Sequence, residues 1–472
     1  MQPARAGRMG TLLREFDVVI IGGGIAGLAV AYDLRQRGVR FHLVESAPRL
    51  GGVILPERVD GVTCDAGPDA LLIQKPAAIA LCRELGLGDR LFPTSEPRRS
   101  FILRAGTLHP LPESSVLGIP RDVSALAATR LFSLLGKARM AAEIFIPPSR
   151  NGTGDESIAS FIGRRFGREA VTYLAEPLLA GIHAGDVDRL SMRALFPRFM
   201  EAERKYGSVL RAFRQLRQPK SSQGAFMSLP GGLEEIVRAL ERVLPADAIS
   251  LSAPARRVAK SEDGRYVVEL ESGERLSSRA AIICTPAFVA ARLVRAVDSD
   301  LASLCGSIVY ASSATATLGY DRSQVQHPLQ GAGFVVPRVE GTTIMAGSWV
   351  SSKWRARAPE GRVLLRAFIG GARDPGAMER SDEELVQAAQ RDLGVLLRIA
   401  GPPRVARLHR WTQANAQHEV GHLDLVAAME RRLAQLPGLF VTGSGFRGVG
   451  VPDCVADGRA TAAQVAAWLG RG

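Results

Sequence analysis

The sequence predicts a mixed α/β protein whose nucleotide-binding fold is split along the chain and interrupted by other domains. Two glycine-rich strand–loop–helix units support this prediction, one near each end of the chain. A third observation is the alternation of apolar and polar residues between about 305 and 410, which is typical of antiparallel sheet. Segments of one fold would therefore lie far apart in the sequence.

The N-terminal unit has the pattern of a diphosphate-binding loop. The apolar run Val18–Ile21 is typical of a buried parallel strand. Gly22, Gly24 and Gly27 follow it with G-x-G-x-x-G spacing, which permits a tight turn, close approach of a diphosphate and packing of helix on strand. The helix predicted over Ala26–Leu34 would hold the diphosphate at its N-terminus.

An acidic residue completes this unit. A second strand is predicted over Phe41–Val44, and Glu45 follows it directly. An acid at that strand end is placed to bind a ribose 2′-hydroxyl. The glycine spacing alone is a weak signal, but strand, glycines, helix, strand and acid in register indicate a bound dinucleotide.

The C-terminal unit favours FAD over NAD as that dinucleotide. A strand is predicted over Leu439–Thr442, the loop GSGFRGVGVP (443–452) follows, and a helix is predicted from there to Leu469. The N-terminus of such a helix stabilises negative charge, as on a reduced flavin near N1 and O2.

Between these units, periodicity and turn residues predict further elements. We expect helices within 155–215, interrupted at Gly181–Asp186, and over Leu233–Val243 and Ser381–Ile399; strands over Ile249–Leu251, Arg256–Val258, Tyr266–Leu270, Ala280–Cys284, Ala314–Leu318, Gly333–Val336, Thr343–Ala346 and Val363–Ile369; a polar linker over Gln218–Gly224; and a disordered lead-in over residues 1–15.

Residues 122–146 have a different character. Leucines and other apolar residues recur at helical spacing with basic residues between them, which predicts one amphipathic helix ended by Pro147 and Pro148. The helix would either pack on its own core or lie on a lipid surface. The segment 95–220 contains 20 Lys+Arg and 12 Asp+Glu, and this excess favours an anionic partner such as a membrane surface.

Composition excludes several classes of protein. No run approaches eighteen apolar residues, so no membrane-spanning helix is expected, and the N-terminus lacks the apolar core of a signal peptide. The net charge is +13, but 54 arginines against six lysines reflect a compositional bias, and no nucleic-acid motif is present. The five cysteines have no metal-ligand spacing, so we expect buried free thiols in a reducing compartment and no metal.

Several longer motifs carry a family resemblance that runs from about residue 16 to the C-terminus. The chain resembles the FAD-dependent protoporphyrinogen oxidases and the related coproporphyrinogen III oxidases of the coproporphyrin-forming type, within the flavin amine oxidase superfamily. The motifs are CDAGPDALLI (64–73), LLAGIHAGDVDRLSMRALFP (178–197), SLPGGLEEIV (228–237), GAGFVVP (331–337), AFIGGAR (367–373) and GSGFRGVGVPDC (443–454).

The resemblance implies three domains. A discontinuous FAD-binding domain would comprise residues 14–66, 223–297 and 432–472. A mixed-sheet substrate domain would comprise 67–94 and 298–431, and a helical domain that contacts the membrane would comprise 95–222.

The resemblance also implies the cofactor contacts. The FAD is expected to be non-covalent, because relatives with covalent flavin use a cysteine near residues 400–420 and this chain has none there. The residues implied are Gly22, Gly23, Gly24, Ile25, Ala26, Gly27, Glu45, Ser46, Arg49, Gly52, Val53, Gly67, Pro68, Asp69, Ala70, Val258, Trp411, Val449, Gly450 and Val451.

The substrate site implied by the resemblance is an apolar wall with an arginine nearby. The wall falls on Gly181, Ala332, Val335 and Phe368, and Arg98 or Arg99 would bind substrate propionates. The family often has a larger apolar residue at Ala332, and often Pro-Gln-Tyr where this chain has 416–418 (Ala-Gln-His). Both departures bear on substrate preference.

The function implied is oxidation of protoporphyrinogen IX to protoporphyrin IX in haem biosynthesis, by repeated hydride transfer to flavin N5, with O2 as acceptor and H2O2 as product. No catalytic residue is assigned, because the flavin carries the chemistry. Coproporphyrinogen III is the alternative substrate. An amine oxidase or carotenoid desaturase, and a redox-inactive escort of prenylated proteins, are rival interpretations.

The expected setting is cytoplasmic, with peripheral attachment to the cytoplasmic membrane. The partners are the porphyrinogen, O2 and the membrane surface, and the resemblance also allows a homodimer and hand-over of product to a ferrochelatase. No nucleic acid is expected.

Overall fold

A computed structural model describes residues 13–111, 115–116, 118–120, 123–149, 154–215 and 224–470. These residues form two compact units. The first unit contains the described residues up to Gly52, together with Ile236–Ser307 and those from Val426 onward. The second unit contains those within Val53–Glu235 and Ile308–Leu425. The division into three domains stays a prediction.

Strands occur in both units. In chain order they are β1 (Leu13–Ile21), β2 (Phe41–Val44), β3 (Pro56–Val59), β4 (Val62–Asp65), β5 (Leu71–Leu72), β6 (Phe92–Pro93), β7 (Ser100–Arg104), β8 (Thr107–Pro110), β9 (Ser115–Val116), β10 (Ile119–Pro120), β11 (Phe226–Ser228), β12 (Ile249–Ser250), β13 (Ala255–Lys260), β14 (Tyr266–Leu270), β15 (Arg275–Ile283), β16 (Tyr310–Asp321), β17 (Gly333–Val335), β18 (Ile344–Ser348), β19 (Arg362–Gly370), β20 (Val405–Ala416) and β21 (Leu439–Val441).

The α-helices are mostly short in the middle of the chain. They are α1 (Ile25–Gln36), α2 (Ala77–Glu84), α3 (Val123–Ala128), α4 (Leu134–Ala141), α5 (Ile158–Phe166), α6 (Arg168–Ala170), α7 (Glu176–His183), α8 (Met192–Leu195), α9 (Pro197–Tyr206), α10 (Val209–Gln215), α11 (Glu234–Val243), α12 (Ala287–Val294), α13 (Ser299–Gly306), α14 (Val350–Lys353), α15 (Asp382–Leu397), α16 (His422–Leu433) and α17 (Val451–Leu469).

The first unit is built on a parallel sheet assembled from distant segments. Strands β12, β2, β1, β15 and β21 lie side by side and all pair in parallel. The first half of β15 also pairs antiparallel with β14, which pairs with the edge strand β13. The sheet therefore has a parallel nucleotide-binding core and an antiparallel extension, as the split fold predicts.

Two helices of the first unit pack closely. Residues Ile25–Leu34 of α1 are all buried, because this helix contacts α17 as well as the sheet. A Cβ at Gly458 of α17 would lie 2.6 Å from the carbonyl oxygen of Ala26, so this helix contact needs glycine. The N-terminal and C-terminal glycine-rich units thus belong to one packed core.

The second unit is built on a seven-stranded mixed sheet with the order β20-β16-β19-β18-β17-β7-β8. Side chains alternate between its faces along β19. Val363, Leu365 and the other odd-numbered residues pack in one core with α15. The opposite face carries Leu364, Arg366 and Phe368, and we call it the site face.

The predicted helix over 122–146 is wrong as a single element. The chain forms α3, then α4, then a short 3₁₀ turn at Ala142–Phe145, and Asp122 lies outside the described residues. The break occurs because the Ser133 hydroxyl caps α4 by accepting from the N–H of Gly136 at 3.0 Å. Tertiary contacts also favour it, since Glu169 accepts from the backbone N–H of Ser133 at 2.9 Å.

The apolar residues of this segment face both ways. Leu131 and Met140 are buried in the helical core of the second unit, whereas Leu134 and Leu135 are each 84% exposed and Phe145 is 79% exposed. In the part of the chain that the structure describes, no helix has the length and apolar character needed to cross a bilayer. Attachment to a membrane surface stays a prediction.

The predicted interruption at Gly181–Asp186 is wrong over its first three residues, because α7 continues through Gly181 to His183 and ends only where Ala184 adopts a φ of +49°. The remaining predicted elements match to within a few residues. The chief difference is that strands are longer than their apolar runs: β16 covers 12 residues, and β1 begins at Leu13, so the lead-in predicted over residues 13–15 is strand. Backbone pairing continues past the buried residues, which periodicity alone does not reveal. Residues 1–12, and residues 218–223 of the predicted linker, lie outside the described residues.

Candidate active site

The loop after β1 has the geometry of a diphosphate cradle. Gly22 has a φ of +108°, which side-chain-bearing residues rarely adopt. A Cβ at Gly27 would lie 2.0 Å from the carbonyl oxygen of Gly22, so the helix can approach the strand only without one. A Cβ at Gly24 would meet nothing within 4 Å, which leaves open space above the N-terminus of α1. These residues fit a bound diphosphate.

The predicted ribose acid is held beside this loop. Glu45 Oε2 accepts from the N–H of Gly23 at 2.6 Å, and Oε1 accepts from the N–H of Ala47 at 2.7 Å. A Cβ at Gly23 would lie 2.4 Å from a Leu50 methyl and 3.2 Å from Glu45 Oε2. Gly23 therefore has a packing role that the glycine spacing did not reveal, because the side chains that exclude a Cβ there belong to Glu45 and Leu50, more than 20 positions later in the chain.

Arg49 stabilises the return of the chain to the same loop. Its guanidinium donates to the carbonyl oxygens of Leu50 at 3.0 Å and Gly52 at 2.5 Å. Gly52 has a φ of +56°, and a Cβ there would lie 3.3 Å from the Cα of Gly24. Ser46 donates to Glu45 at 3.1 Å. The structure thus brings together the predicted contacts from Gly22 to Gly52 in the first unit.

The C-terminal loop of the first unit leads into α17 at residues 449–451. Gly450 is the N-cap, and its N–H donates to Asp453 Oδ2 at 3.2 Å. Asp457, one turn further along, accepts from the Thr442 hydroxyl at 2.7 Å and pairs with Arg447 at 3.2 Å. The helix N-terminus is therefore fixed by its own carboxylates.

Val258 differs from the other predicted cofactor residues. It lies in the edge strand β13, and its side chain is fully buried. Any contact with an adenine would therefore come from its backbone.

Three of the four predicted wall residues lie together on the second unit. Val335 pairs with Ala346 across β17 and β18, and Ala346 pairs with Phe368 across β18 and β19. Paired residues share a face, so Val335, Phe368 and the unpredicted Ala346 form a row on the site face. A Cβ at Gly181 of α7 would lie 3.1 Å from Val335 Cγ1 and 3.5 Å from Ala346 Cβ, so α7 packs directly over that row.

Ala332 and the two arginines lie at one end of β17. The N–H of Ala332 donates to the carbonyl oxygen of Arg99 at 2.7 Å, which joins the chain of Arg99 to the wall residue. Arg98 is held differently. Its Nε donates to the carbonyl oxygen of Thr94 at 3.0 Å, and its guanidinium pairs with Glu96 at 3.3 Å.

The 416–418 departure from the family pattern has a structural role. The side-chain amide of Gln417 donates to the carbonyl oxygen of His183, the last residue of α7, at 3.2 Å. His418 is buried and stacks on His422 with ring centroids 3.8 Å apart. This segment therefore anchors the C-terminal end of the helix that carries Gly181.

The loop 65–69 of the second unit is supported from the site face by side chains. Arg366 Nη1 donates to the carbonyl oxygens of Asp65 and of Gly67, the latter at 2.8 Å. The carbonyl oxygen of Ala66 accepts from Trp411 Nε1 at 3.0 Å and from the Thr315 hydroxyl at 2.9 Å. We call this segment the supported loop.

The supported loop is also tightly packed. A Cβ at Gly67 would lie 1.9 Å from the carbonyl oxygen of Val53, so the backbone approach at that point requires glycine. Ser228 Oγ donates to the carbonyl oxygen of Asp69 at 2.7 Å. Gly67 and Asp69 are therefore fixed by residues distant from them in sequence.

The carboxylate of Asp69 is hydrogen-bonded and ion-paired to other side chains of the protein. It accepts from Lys353 Nζ at 3.0 Å and Trp354 Nε1 at 2.9 Å, and Arg366 Nη2 lies 3.4 Å away. Burial alone would raise the pKa of Asp69, but the charges of Lys353 and Arg366 and these hydrogen bonds hold it well below its usual range. A cofactor contact at this position would therefore come from the backbone.

The residues that support this loop are not recognisable in the sequence. Lys353, Trp354, Arg357 and Arg366 carry no motif of their own, and only the KW pair before ARAPE (356–360) would have drawn attention. Arg357 is fully buried and donates to Asp65 Oδ2 at 2.7 Å. Buried cations beside buried carboxylates are visible only after the chain has folded.

Comparisons with known proteins agree with this geometry. A family model described as flavin containing amine oxidoreductase matches residues 25–466. The chain belongs to this family; it is an oxidoreductase, and its cofactor is FAD.

The relatives have more particular names. Coproporphyrinogen III oxidase of Bacillus subtilis (strain 168) is 34% identical over 96% of this chain and 98% of its own length, and five further relatives with that name are 30–34% identical. Chloroplastic protoporphyrinogen oxidase of Nicotiana tabacum is 30% identical over 97% of this chain and 86% of its own length. A solved structure from Exiguobacterium sp. 255-15, provisionally named a protoporphyrinogen oxidase, is 32% identical with a TM-score of 0.86, over 97% of this chain and 100% of that one.

Proposed function

We propose that this protein oxidises a porphyrinogen to the corresponding porphyrin in haem biosynthesis, with FAD as hydride acceptor and O2 as the final acceptor, giving H2O2. The observation that carries the proposal is the row of Val335, Ala346 and Phe368 under Gly181 on the site face. Because α7 already packs on this row, we propose that the macrocycle contacts its edge, where Gly181, Val335 and Phe368 are only half-buried.

We favour coproporphyrinogen III as the substrate. Six relatives with 30–34% identity carry the name of that oxidase. Protoporphyrinogen IX is the second candidate, supported by the tobacco relative and the Exiguobacterium structure. Both substrates have the same tetrapyrrole core and differ in the number of carboxylates at its edge.

The chain's own residues would position the reactants. When bound, FAD supplies the hydride-accepting chemistry, so the protein has to hold the macrocycle in one orientation and exclude others. Gly181, Val335 and Phe368 would contact its apolar faces. The Gly22–Gly27 loop and Glu45 would hold the diphosphate and ribose of the cofactor. Gly67–Ala70, Trp411 and Val449–Val451 are our proposed contacts to the remainder of FAD.

An arginine at the rim would bind a propionate. Of the two candidates, we favour Arg99, because the N–H of Ala332 donates to its carbonyl oxygen and thereby joins it to the wall. Arg98 pairs with Glu96 at 3.3 Å. A bidentate pair of arginine with carboxylate is the interaction expected at such a rim.

A direct test compares both porphyrinogens on one preparation. The protein should purify yellow, and a Soret band should grow faster with coproporphyrinogen III than with protoporphyrinogen IX at equal concentration. A faster reaction with protoporphyrinogen IX would reverse the preference. Absence of both reactions in the yellow protein would reject porphyrinogen oxidation and favour an amine oxidase or desaturase, and colourless protein would favour the escort interpretation.

A further inference from the structure

In the supported loop most backbone carbonyl oxygens are hydrogen-bonded within the protein, whereas several backbone N–H groups are not. The carbonyl oxygens of residues 65, 66, 67 and 69 all accept hydrogen bonds from side chains. Among the residues that the structure describes, none accepts from the N–H of Gly67 or Asp69 in this loop, or from that of Ala70, which follows it. Pro68 has no N–H. Gly67 and Ala70 are half-buried, so their N–H groups are accessible to a ligand with acceptor atoms as well as to water.

The charges behind the loop are unequal as well. Two cations, Lys353 and Arg366, lie against the single carboxylate of Asp69, whereas Arg357 pairs with Asp65 and also interacts with Glu235. Burial raises the pKa of Asp65, which cannot reduce this surplus. A surplus positive charge in a low-dielectric region favours negative charge on whatever the loop binds.

Arg366 links this loop to the substrate wall. Its guanidinium lies 4.8 Å from the ring centroid of Phe368, two residues along the same strand and on the same face. The same guanidinium also donates hydrogen bonds to the carbonyl oxygens of Asp65 and Gly67. One side chain therefore contacts both the supported loop and a wall residue.

We infer that Arg366, with Lys353 behind it, is a positioning residue for the flavin: it orients the supported loop so that the N–H groups of Gly67, Asp69 and Ala70 donate to flavin acceptor atoms, and the surplus charge favours the reduced cofactor. The inference rests on the proposed contact of FAD with residues 67–70. It adds two residues that neither the family motifs nor the glycine pattern identified.

The test uses the FAD-loaded protein and sulfite as a probe. Sulfite adds to N5 of oxidised flavin and leaves negative charge on the ring, so its affinity reports how strongly the protein stabilises that charge. Arg366→Gln should weaken sulfite binding at least tenfold, which corresponds to a fall of about 30 mV in the midpoint potential of a two-electron couple. Arg366→Lys should recover most of this loss.

A second variant separates charge from folding. Lys353→Gln removes one positive charge, and Asp69 still accepts from Trp354, so the loop remains supported. Its sulfite affinity should also fall severalfold. The matched control is Arg362→Gln, which removes a cation from the same strand where it pairs with Asp60 and Asp321 away from the loop. This control should bind sulfite as the unaltered protein does.

The outcomes distinguish this inference from the proposed function. Unchanged sulfite affinity in FAD-loaded Arg366→Gln would overturn the inference while porphyrinogen oxidation stood. If that variant fails to fold, unchanged affinity in Lys353→Gln overturns it. Unaltered protein that binds FAD but oxidises no porphyrinogen would instead reject the proposed function, and the sulfite result would still report on the loop.

Discussion

Two loops that we propose as contacts for FAD are held in shape in opposite ways. The Gly22–Gly27 loop of the first unit is shaped by its own glycines and by Glu45, all within one short segment. The supported loop of the second unit depends on side chains from residues 315, 366 and 411. The shape of the Gly22–Gly27 loop follows from residues close to it in sequence. The shape of the supported loop depends on strands that are distant in sequence and pair only when the chain folds.

The largest expected effect is that of a substitution in the Gly22–Gly27 loop. Gly24→Val should fold, because Gly24 has an ordinary φ of −68° and a Cβ there meets no protein atom. The side chain would fill the diphosphate space, so FAD affinity should fall about 100-fold or more, about 2.7 kcal/mol. Titration of the apoprotein with FAD measures this. Wild-type affinity would mean that the diphosphate does not bind here.

Gly27→Val is the contrasting variant. Its Cβ would meet the backbone oxygen of Gly22, so the apoprotein itself should lose stability, whereas the melting temperature of Gly24→Val apoprotein should stay unchanged.

The next effect concerns pH and the first unit. His42 is buried beside Ser250, and burial, with the charge of Arg14 as a smaller cause, lowers its pKa to about 4. Because the pKa is lower in the folded state, the unfolded chain binds more protons between about pH 6.5 and 4. Stability should be complete above this window and fall by up to about 1.4 kcal/mol per pH unit within it.

Replacement of His42 measures that contribution. His42→Gln keeps a donor for Ser250 and should reduce the slope of unfolding free energy against pH, whereas His109→Gln on the second unit serves as the control. Equal slopes in all three proteins would assign the pH dependence to other groups.

A smaller effect is expected at the wall. Gly181→Val would place side-chain atoms against Val335 and Ala346, so we expect kcat/KM for the porphyrinogen to fall about tenfold, about 1.4 kcal/mol, with FAD content unchanged. Gly394→Ala on α15, where a Cβ meets nothing within 4 Å, is the control. Full activity in Gly181→Val would move the substrate away from this wall.

A smaller effect than that of Gly181→Val is expected when either rim arginine, Arg98 or Arg99, is replaced. Arg99→Ala should raise KM for a propionate-bearing substrate severalfold, and Arg98→Ala should raise it less, because the chain at Arg99 is hydrogen-bonded to the wall residue Ala332. Steady-state kinetics on both variants decides between them. An unchanged KM in both would exclude them as the propionate clamp.

The smallest effect concerns the exposed apolar residues of α4. Replacing Leu134 and Leu135 by Gln removes two exposed side chains without touching the buried Leu131 and Met140. If the segment lies on lipid, sedimentation with anionic vesicles should decrease while FAD content stays constant. Equal sedimentation would leave the basic residues, or no membrane contact at all, as the explanation.

The sequence alone was sufficient to predict the fold class, the family, the cofactor and the strand–loop–helix unit around Gly22–Gly27. Strand, glycines, helix and acid lie within 30 residues, and each is recognisable because its physical reason is local. Periodicity failed at 122–146, where Ser133 caps a new helix and Glu169 accepts from its N–H, since no window of sequence contains that partner 36 residues away.

The tertiary structure decided what surrounds the second loop. Pairing of β17, β18 and β19 placed Val335, Ala346 and Phe368 in one row, and it placed Arg366 under residues some 300 positions earlier in the chain. The sequence by itself determined the shape of the Gly22–Gly27 loop, where we propose the dinucleotide binds, because a glycine loop carries its geometry in its own backbone. The tertiary structure alone decided which cations support residues 65–69, because buried charges acquire their partners only through long-range packing.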